Sequence, residues 1–251
     1  MKKTTFLIAF FVLASFGATA QSFNTSNNTD AIPITGNQNC AYGVGTLFAN
    51  TGSDNVGVGF RNMEAGGSGS GNVALGSWAL RNNSTGYENV ASGYRSLISN
   101  TTGYQNVASG SFSLFSNTIG RGNTSLGFNS MYFNVSGVTN VALGSNSLYS
   151  NISGGSNQAV GFRALYGNTT GTSNSAFGRD ALSSNTTGSS NTGLGVGANV
   201  STGNLTNATA IGSGAVVNAS NKVRIGNASV TVVEGPVAYT FSDGRFKANV
   251  K

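Results

Sequence analysis

Histidine is absent from this sequence, which removes His-based catalytic triads and histidine metal sites together. Cysteine occurs once, at Cys40, so no internal disulfide can form, and the residue reads as a small buried side group. Proline occurs twice, and only 8% of residues are charged. The seven acidic residues are spread along the chain without calcium-loop spacing. The net charge of +6 comes from scattered basic residues, and no run resembles a nucleic-acid patch. Gly-x-Gly occurs in GVGTLFAN and GLGVGAN, but outside a βαβ context, so no dinucleotide cofactor is expected. Low charge can mark a disordered chain. Here 38% of residues are hydrophobic and they recur at fixed phases, which argues for order.

What the chain has instead is repetition. Asn-x-x-x-Gly opens at Asn39, Asn55, Asn72, Asn89, Asn106, Asn123, Asn140, Asn157, Asn174 and Asn191, and Ala208 continues the series. The first spacing is 16 residues and the later ones are 17. A fixed short period defines a repeat architecture. Counting each repeat from its Asn, position 5 is always Gly, as in Gly76, Gly93, Gly110, Gly127 and Gly144. Such a glycine implies positive φ or close approach of another segment. Position 15 is a second Gly from Gly69 to Gly188, and position 9 is an apolar stripe from Leu47 to Leu182. Position 3 is mostly Ala and position 4 mostly apolar.

The segments between these glycines are about four to six residues long, too short for helices and suited to strands. Each repeat then reads as one coil of a parallel β-solenoid, with two short strands and two Gly turns. Coils stacked at about 4.8 Å would give a rod of roughly 50 Å. Equivalent residues form ladders, and Asn72, Asn89, Asn106, Asn123 and Asn140 lie in one whose amides can bond along the stack.

Low charge then has a cause, because a charged residue at a repeated position would face its own copy one coil away. The exceptions obey the same logic. Glu64 and Arg81 share position 10 in adjacent coils, and Arg163 and Asp180 share position 7. Phe115, Tyr132, Tyr149 and Tyr166 occupy position 10 in four consecutive coils and are expected to point outward. Such a ladder can stack on sugar rings or a partner protein; mutual stacking, or burial between subunits, is the plainer role. The pairs Thr101-Thr102, Thr169-Thr170 and Thr186-Thr187 lie at a turn, where a hydroxyl array could meet ice or glycan, or simply fill the turn.

The first twenty residues read as a secretory signal peptide: Lys2 and Lys3, then an apolar run from Phe6 to Phe16, then Ala18-Thr19-Ala20 as the cleavage site. Residues 21–36 are expected to be a flexible leader, and no second apolar segment is long enough to span a membrane.

After Ala208 the period shortens: ATAIGSGAVVNASN is followed by KVRIGNASVTVVEG. ATAIGSGA and NKVRIGN resemble head repeats of YadA-type trimeric autotransporter adhesins, and the 17-residue copies look like a longer variety of them. The resemblance covers about residues 37–235. It implies a left-handed parallel β-roll packed as a homotrimer. SDGRFKANVK, from Ser242 to Lys251, resembles the opening of the intramolecular chaperone domain of phage tail spikes and endosialidases. That resemblance implies Ser242 as nucleophile and Lys247 as its base, with a cut between Phe241 and Ser242. Only its first residues are present, so no cleavage is expected of this chain alone.

The reading that results is all-β: about eleven 17-residue coils and a 14-residue C-terminal repeat over residues 37–235, then a linker and chaperone start over 236–251. The expected role is a secreted or cell-surface structural or adhesive fibre, the shaft or head of a bacterial surface adhesin or tail-fibre-like protein, with a glycan or protein receptor. No metal, cofactor, nucleic acid or catalysis is expected. One alternative is a monomeric glycan- or ice-binding solenoid using a flat Thr or aromatic ladder. Another is a fragment of a self-cleaving fibre.

Overall fold

A computed structural model describes residues 36–233. The signal-peptide and leader readings, the linker and the Ser242–Lys247 pair lie outside the described residues, apart from Gly36. Among the described residues the protein is all-β, a parallel β-solenoid of about eleven coils. Ten three-residue strands run from β1 (Cys40–Tyr42) to β10 (Thr192–Leu194), one per coil. With β12 (Thr209–Ile211) and β14 (Val223–Ile225) they make one 12-stranded parallel sheet. Every strand pairs with the next coil's strand in register, so that Ala91 faces Ala108 and Ala142 faces Ala159. The last step is the shorter one, pairing Thr209 with Val223.

Two strands per coil were expected, and the 17-residue coils have one. A second pairing appears only near the C-terminal end, between β11 (Asn199–Val200) and β13 (Val216–Val217). Elsewhere the backbone opposite the sheet is irregular. Position 9 is left-handed in each of these coils, with φ of 54° at Leu47, 51° at Leu114 and 48° at Leu182. A strand cannot continue through such a residue. Coil-to-coil bonds persist all the same, as where Leu97 N–H donates to Ser113 O at 3.0 Å and Thr101 N–H to Thr118 O at 3.0 Å.

The core is narrow. From β1 to β10 and in β12 the middle residue of each strand points inward, and Ala74, Ala91, Ala108 and Ala142 are fully buried. Against them pack the position-9 side chains from Leu47 to Leu182, also buried. Each buried leucine contributes about 1.5–3 kcal/mol by its removal from water. Where Ser125 replaces the strand alanine, its hydroxyl is matched: Ser113 Oγ donates to Ser125 Oγ and Ser125 Oγ to Ser130 Oγ, each at 2.8 Å. Cys40, expected inside, is exposed. It precedes Ala41, which holds the inward place in β1, so strand alternation turns the thiol outward.

The position-5 glycines are required on two counts. Gly127 has φ of 138°, and a Cβ there would sit 2.6 Å from Gly144 O in the next coil. The position-15 glycines differ, because no positive φ is involved. A Cβ on Gly103 would fall 2.4 Å from both Asn100 Oδ1 and Gly120 O.

Left-handed backbone also occurs at position 17, where Gly71 and Gly122 adopt it freely and Thr139 holds it at φ 53°. A left-handed conformation costs a residue with a Cβ roughly 1–2 kcal/mol. Thr139→Gly is therefore expected to raise unfolding free energy by about 1 kcal/mol, measured by urea denaturation.

Candidate functional site

The described residues offer amide ladders, ion pairs, hydroxyl rows and aromatic rows, and each can be followed coil by coil. In the position-1 ladder, Asn106 Nδ2 donates to Asn89 Oδ1 at 3.1 Å and to Gly120 O at 2.9 Å. Its own Oδ1 accepts from the backbone N–H and the side-chain amide of Asn123, both at 3.1 Å. Asn72, Asn89, Asn123 and Asn140 repeat this pattern. All five are fully buried, so each amide is saturated with no water needed.

A second ladder runs beside it at position 12, which the sequence reading did not single out. Asn100 Nδ2 donates to Asn83 Oδ1 at 2.8 Å, and Asn117, Asn134, Asn151, Asn168 and Asn185 continue the series. The two ladders meet at the position-15 glycines. Gly103 O accepts from Asn89 and Asn100, each at 2.9 Å. Where position 12 lacks Asn, at Gly66 and Thr202, the position-1 amide fills the gap. Asn55 Nδ2 lies 3.4 Å from Asn50 Oδ1, and Asn191 Nδ2 lies 3.0 Å from Asn185 Oδ1. The recurrent Asn at position 12 was visible as a signal, but followed by Thr or Ser within two residues it reads as a turn or a glycosylation sequon. Burial closes that use, since Asn100 and Asn168 are fully buried and Asn83 nearly so.

The predicted charge pairs form. Arg81 Nε lies 2.6 Å from Glu64 Oε2, with Arg61 also at 3.3 Å from that carboxylate. Arg163 Nε lies 3.5 Å from Asp180 Oδ1, with Arg179 at 3.9 Å. They are surface pairs and contribute at most about 1 kcal/mol each.

The structure brings Phe115, Tyr132, Tyr149 and Tyr166 together as one half-buried stack. Centroids are 4.8, 5.5 and 5.1 Å apart, with interplanar angles of 6°, 24° and 2°. Arg163 covers Tyr166, its guanidinium 4.7 Å from the ring centroid. The inner ring faces are thus occupied by one another, which leaves edges rather than platforms for a sugar. Burial pushes the Tyr149 phenol above its ordinary value of 10.0, and Tyr166 and Tyr132 add to the shift. The Thr hydroxyls are likewise engaged: Thr101, Thr169 and Thr186 Oγ1 donate to next-coil carbonyls at 3.0–3.1 Å, while Thr102, Thr170 and Thr187 are exposed.

Among the described residues there is no cluster of metal-ligating side chains and no helix long and apolar enough to cross a membrane. The fold defines the class, a parallel β-solenoid. Comparison with family models, curated proteins and solved structures finds no significant match.

Asn106→Ala would remove two donors and one doubly used acceptor from a buried row, and each orphaned group costs about 1–3 kcal/mol. A loss of at least about 3 kcal/mol is expected by urea denaturation, against about 1 kcal/mol or less for the half-buried Tyr166→Phe. For Tyr149 the raised value means the fold holds the phenolic proton more tightly than the unfolded state does. Its contribution is complete below pH ~10 and is lost as pH rises through the raised value. The decline in stability between about pH 9 and about pH 11 should therefore be shallower in Tyr149→Phe, as read by denaturation at both pH values.

Proposed function

We propose that this protein is the shaft or head of a secreted adhesive fibre of a bacterial surface, assembled as a homotrimer and without catalysis of its own. The observation that carries this reading is the outer face of the sheet. From β1 to β12 no strand residue is charged. Position 4 is exposed and apolar at Tyr42, Val58, Leu75, Leu126, Phe177 and Leu194, and in the two coils where it is Ser92 or Ser109 the exposed apolar residue is Val90 or Val107 at position 2. Monomeric soluble proteins rarely leave so long an apolar strip uncovered.

Symmetry supports a parallel assembly. In a trimer whose axis runs along the rods, each ladder residue meets its own copies at the same height. A charge there would face like charges, which is destabilising at such distances. An uncharged apolar ladder satisfies that constraint, and knob-like β-branched residues such as Val107 and Val141 suit close packing. The resemblance to trimeric adhesin heads and to chaperone-tailed fibres points the same way. The monomeric ligand-binding alternative draws less support, because one hydroxyl of each Thr pair and the position-10 ring faces are engaged within the protein itself.

Light scattering of the protein from Gln21 onward should give the mass of three copies, and Leu126→Lys should lower it while circular dichroism stays β-rich. A monomeric mass for the unmodified protein would defeat the trimer.

A further inference from the structure

Beside the sheet, at the corner formed by positions 6 and 7, a second period is superimposed on the first. Position 6 carries Phe60, Tyr94, Phe128 and Phe162 in alternate coils, and Ser77, Ser111 and Ser145 in the coils between. The four rings are 39, 40, 51 and 47% exposed, large values for aromatic side chains. Three of them are followed at position 7 by arginine, in Arg61, Arg95 and Arg163, and the fourth by Asn129. The corner is thus a comb of aromatic teeth, each paired with a cation or an amide. Its pitch is two coils, about 10 Å.

The charges on this edge do not cancel. Glu64 is shared by Arg61 and Arg81, and Asp180 by Arg163 and Arg179, so each group keeps one positive charge. Arg95 has no carboxylate partner among the described residues. It lies over Trp78 at 4.4 Å and Tyr94 at 5.2 Å, and its buried Nε has no hydrogen-bond partner. The Trp78 ring packs against Phe60 at 6.2 Å and Tyr94 at 5.6 Å, so the teeth stand on a fixed base. The unpaired cation is held in place by rings and not by an acid.

We infer that this comb binds an extended anionic polysaccharide lying along the rod, one whose disaccharide repeat carries a single carboxylate or sulfate. In an extended polymer of alternating sugars, every second sugar turns the same face outward, and its length repeats on the scale of two coils. The apolar face of that sugar lies against a tooth, and the acid on its neighbour meets the adjoining arginine. Rings supply stacking area at low conformational cost, and arginine supplies charge-assisted hydrogen bonds to carboxylate or sulfate. In the intervening coils position 6 is serine, and position-7 rings pack between the teeth: Phe112 lies 5.3 Å from Tyr94 and 6.2 Å from Phe128, as Trp78 does between Phe60 and Tyr94, so from Phe60 to Phe128 the sugar lies along an unbroken aromatic edge. The comb belongs to a single protomer and does not depend on how many protomers the fibre holds.

Isothermal titration of the full-length protein with hyaluronan fragments of increasing length tests this, with chitin fragments as the neutral comparator. Affinity for hyaluronan should rise with length until a fragment spans all four teeth, and should fall as salt is added. Arg95→Gln should weaken it about tenfold, the order expected for one charge-assisted hydrogen bond. Phe128→Ser should weaken the longest fragments more than the shortest, and Tyr87→Ser, outside the comb, should leave binding unchanged. Light scattering of each variant separates this site from the assembly interface. The inference is overturned if neither sugar binds, if chitin and hyaluronan bind alike, or if the two comb variants bind as the parent does. It is equally overturned if Phe128→Ser lowers the oligomeric mass, which would make the comb a contact between protomers.

Discussion

Each coil of this rod is too slender to hold a core alone, with one leucine, methionine or valine and at most a few small residues at its centre. The coils cohere because buried asparagine amides bond to the same amides one step away. That interaction sets the period. A side-chain amide reaches its neighbour only if the next coil brings Asn back to the same height and angle, so an inserted or deleted residue would break both ladders. The glycines follow from the same demand. Position 15 must bring its carbonyl to two amides at once, and no Cβ fits there. Position 5 must bring successive carbonyls close enough for the strands to pair.

The scarcity of charge is a second consequence. Strict stacking turns every position into a column, and a column tolerates charge only where signs alternate or where aromatic rings hold an arginine. Glu64 beside Arg81 shows the first solution, and Arg95 over Trp78 shows the second. Position 6 shows a third: the bulky ring is written in alternate coils only, so the column carries bulk without crowding. These devices explain how a polar, glycine-rich protein stays orderly with so little charge on its surface.

Much of this was legible in the residues. The period, the position-1 asparagines, the position-9 stripe and the opposite-sign pairs at Glu64–Arg81 and Arg163–Asp180 all read directly from spacing. What was not legible depends on backbone angles or on a competing local meaning. Nothing in the letter Leu says that Leu114 sits at φ 51°, so the irregular side of the coil read as a second strand. Asn100 and Asn168 stand before threonines and look like turn residues, which hid the second ladder. Cys40 read as buried from its type alone, whereas its place one residue before Ala41 sends it outward. The alternation of Phe60, Tyr94, Phe128 and Phe162 has twice the period that the repeat suggests, and a search at 17 residues passes over it.

The amide ladders also give the rod a direction that the strands do not. Backbone bonds in the sheet point both ways along the axis: Val90 N–H donates to Asn106 O in the following coil, and Gly93 N–H to Leu75 O in the preceding one. The asparagines do not alternate. In both ladders each Nδ2 donates to an Oδ1 in the coil before it, so every asparagine amide oxygen leans toward the C-terminal end. Aligned amide dipoles add, as they do along a helix. The rod therefore carries an electrical polarity, positive toward its first coil and negative toward its last. Two such rods brought together end to end attract head to tail and repel head to head.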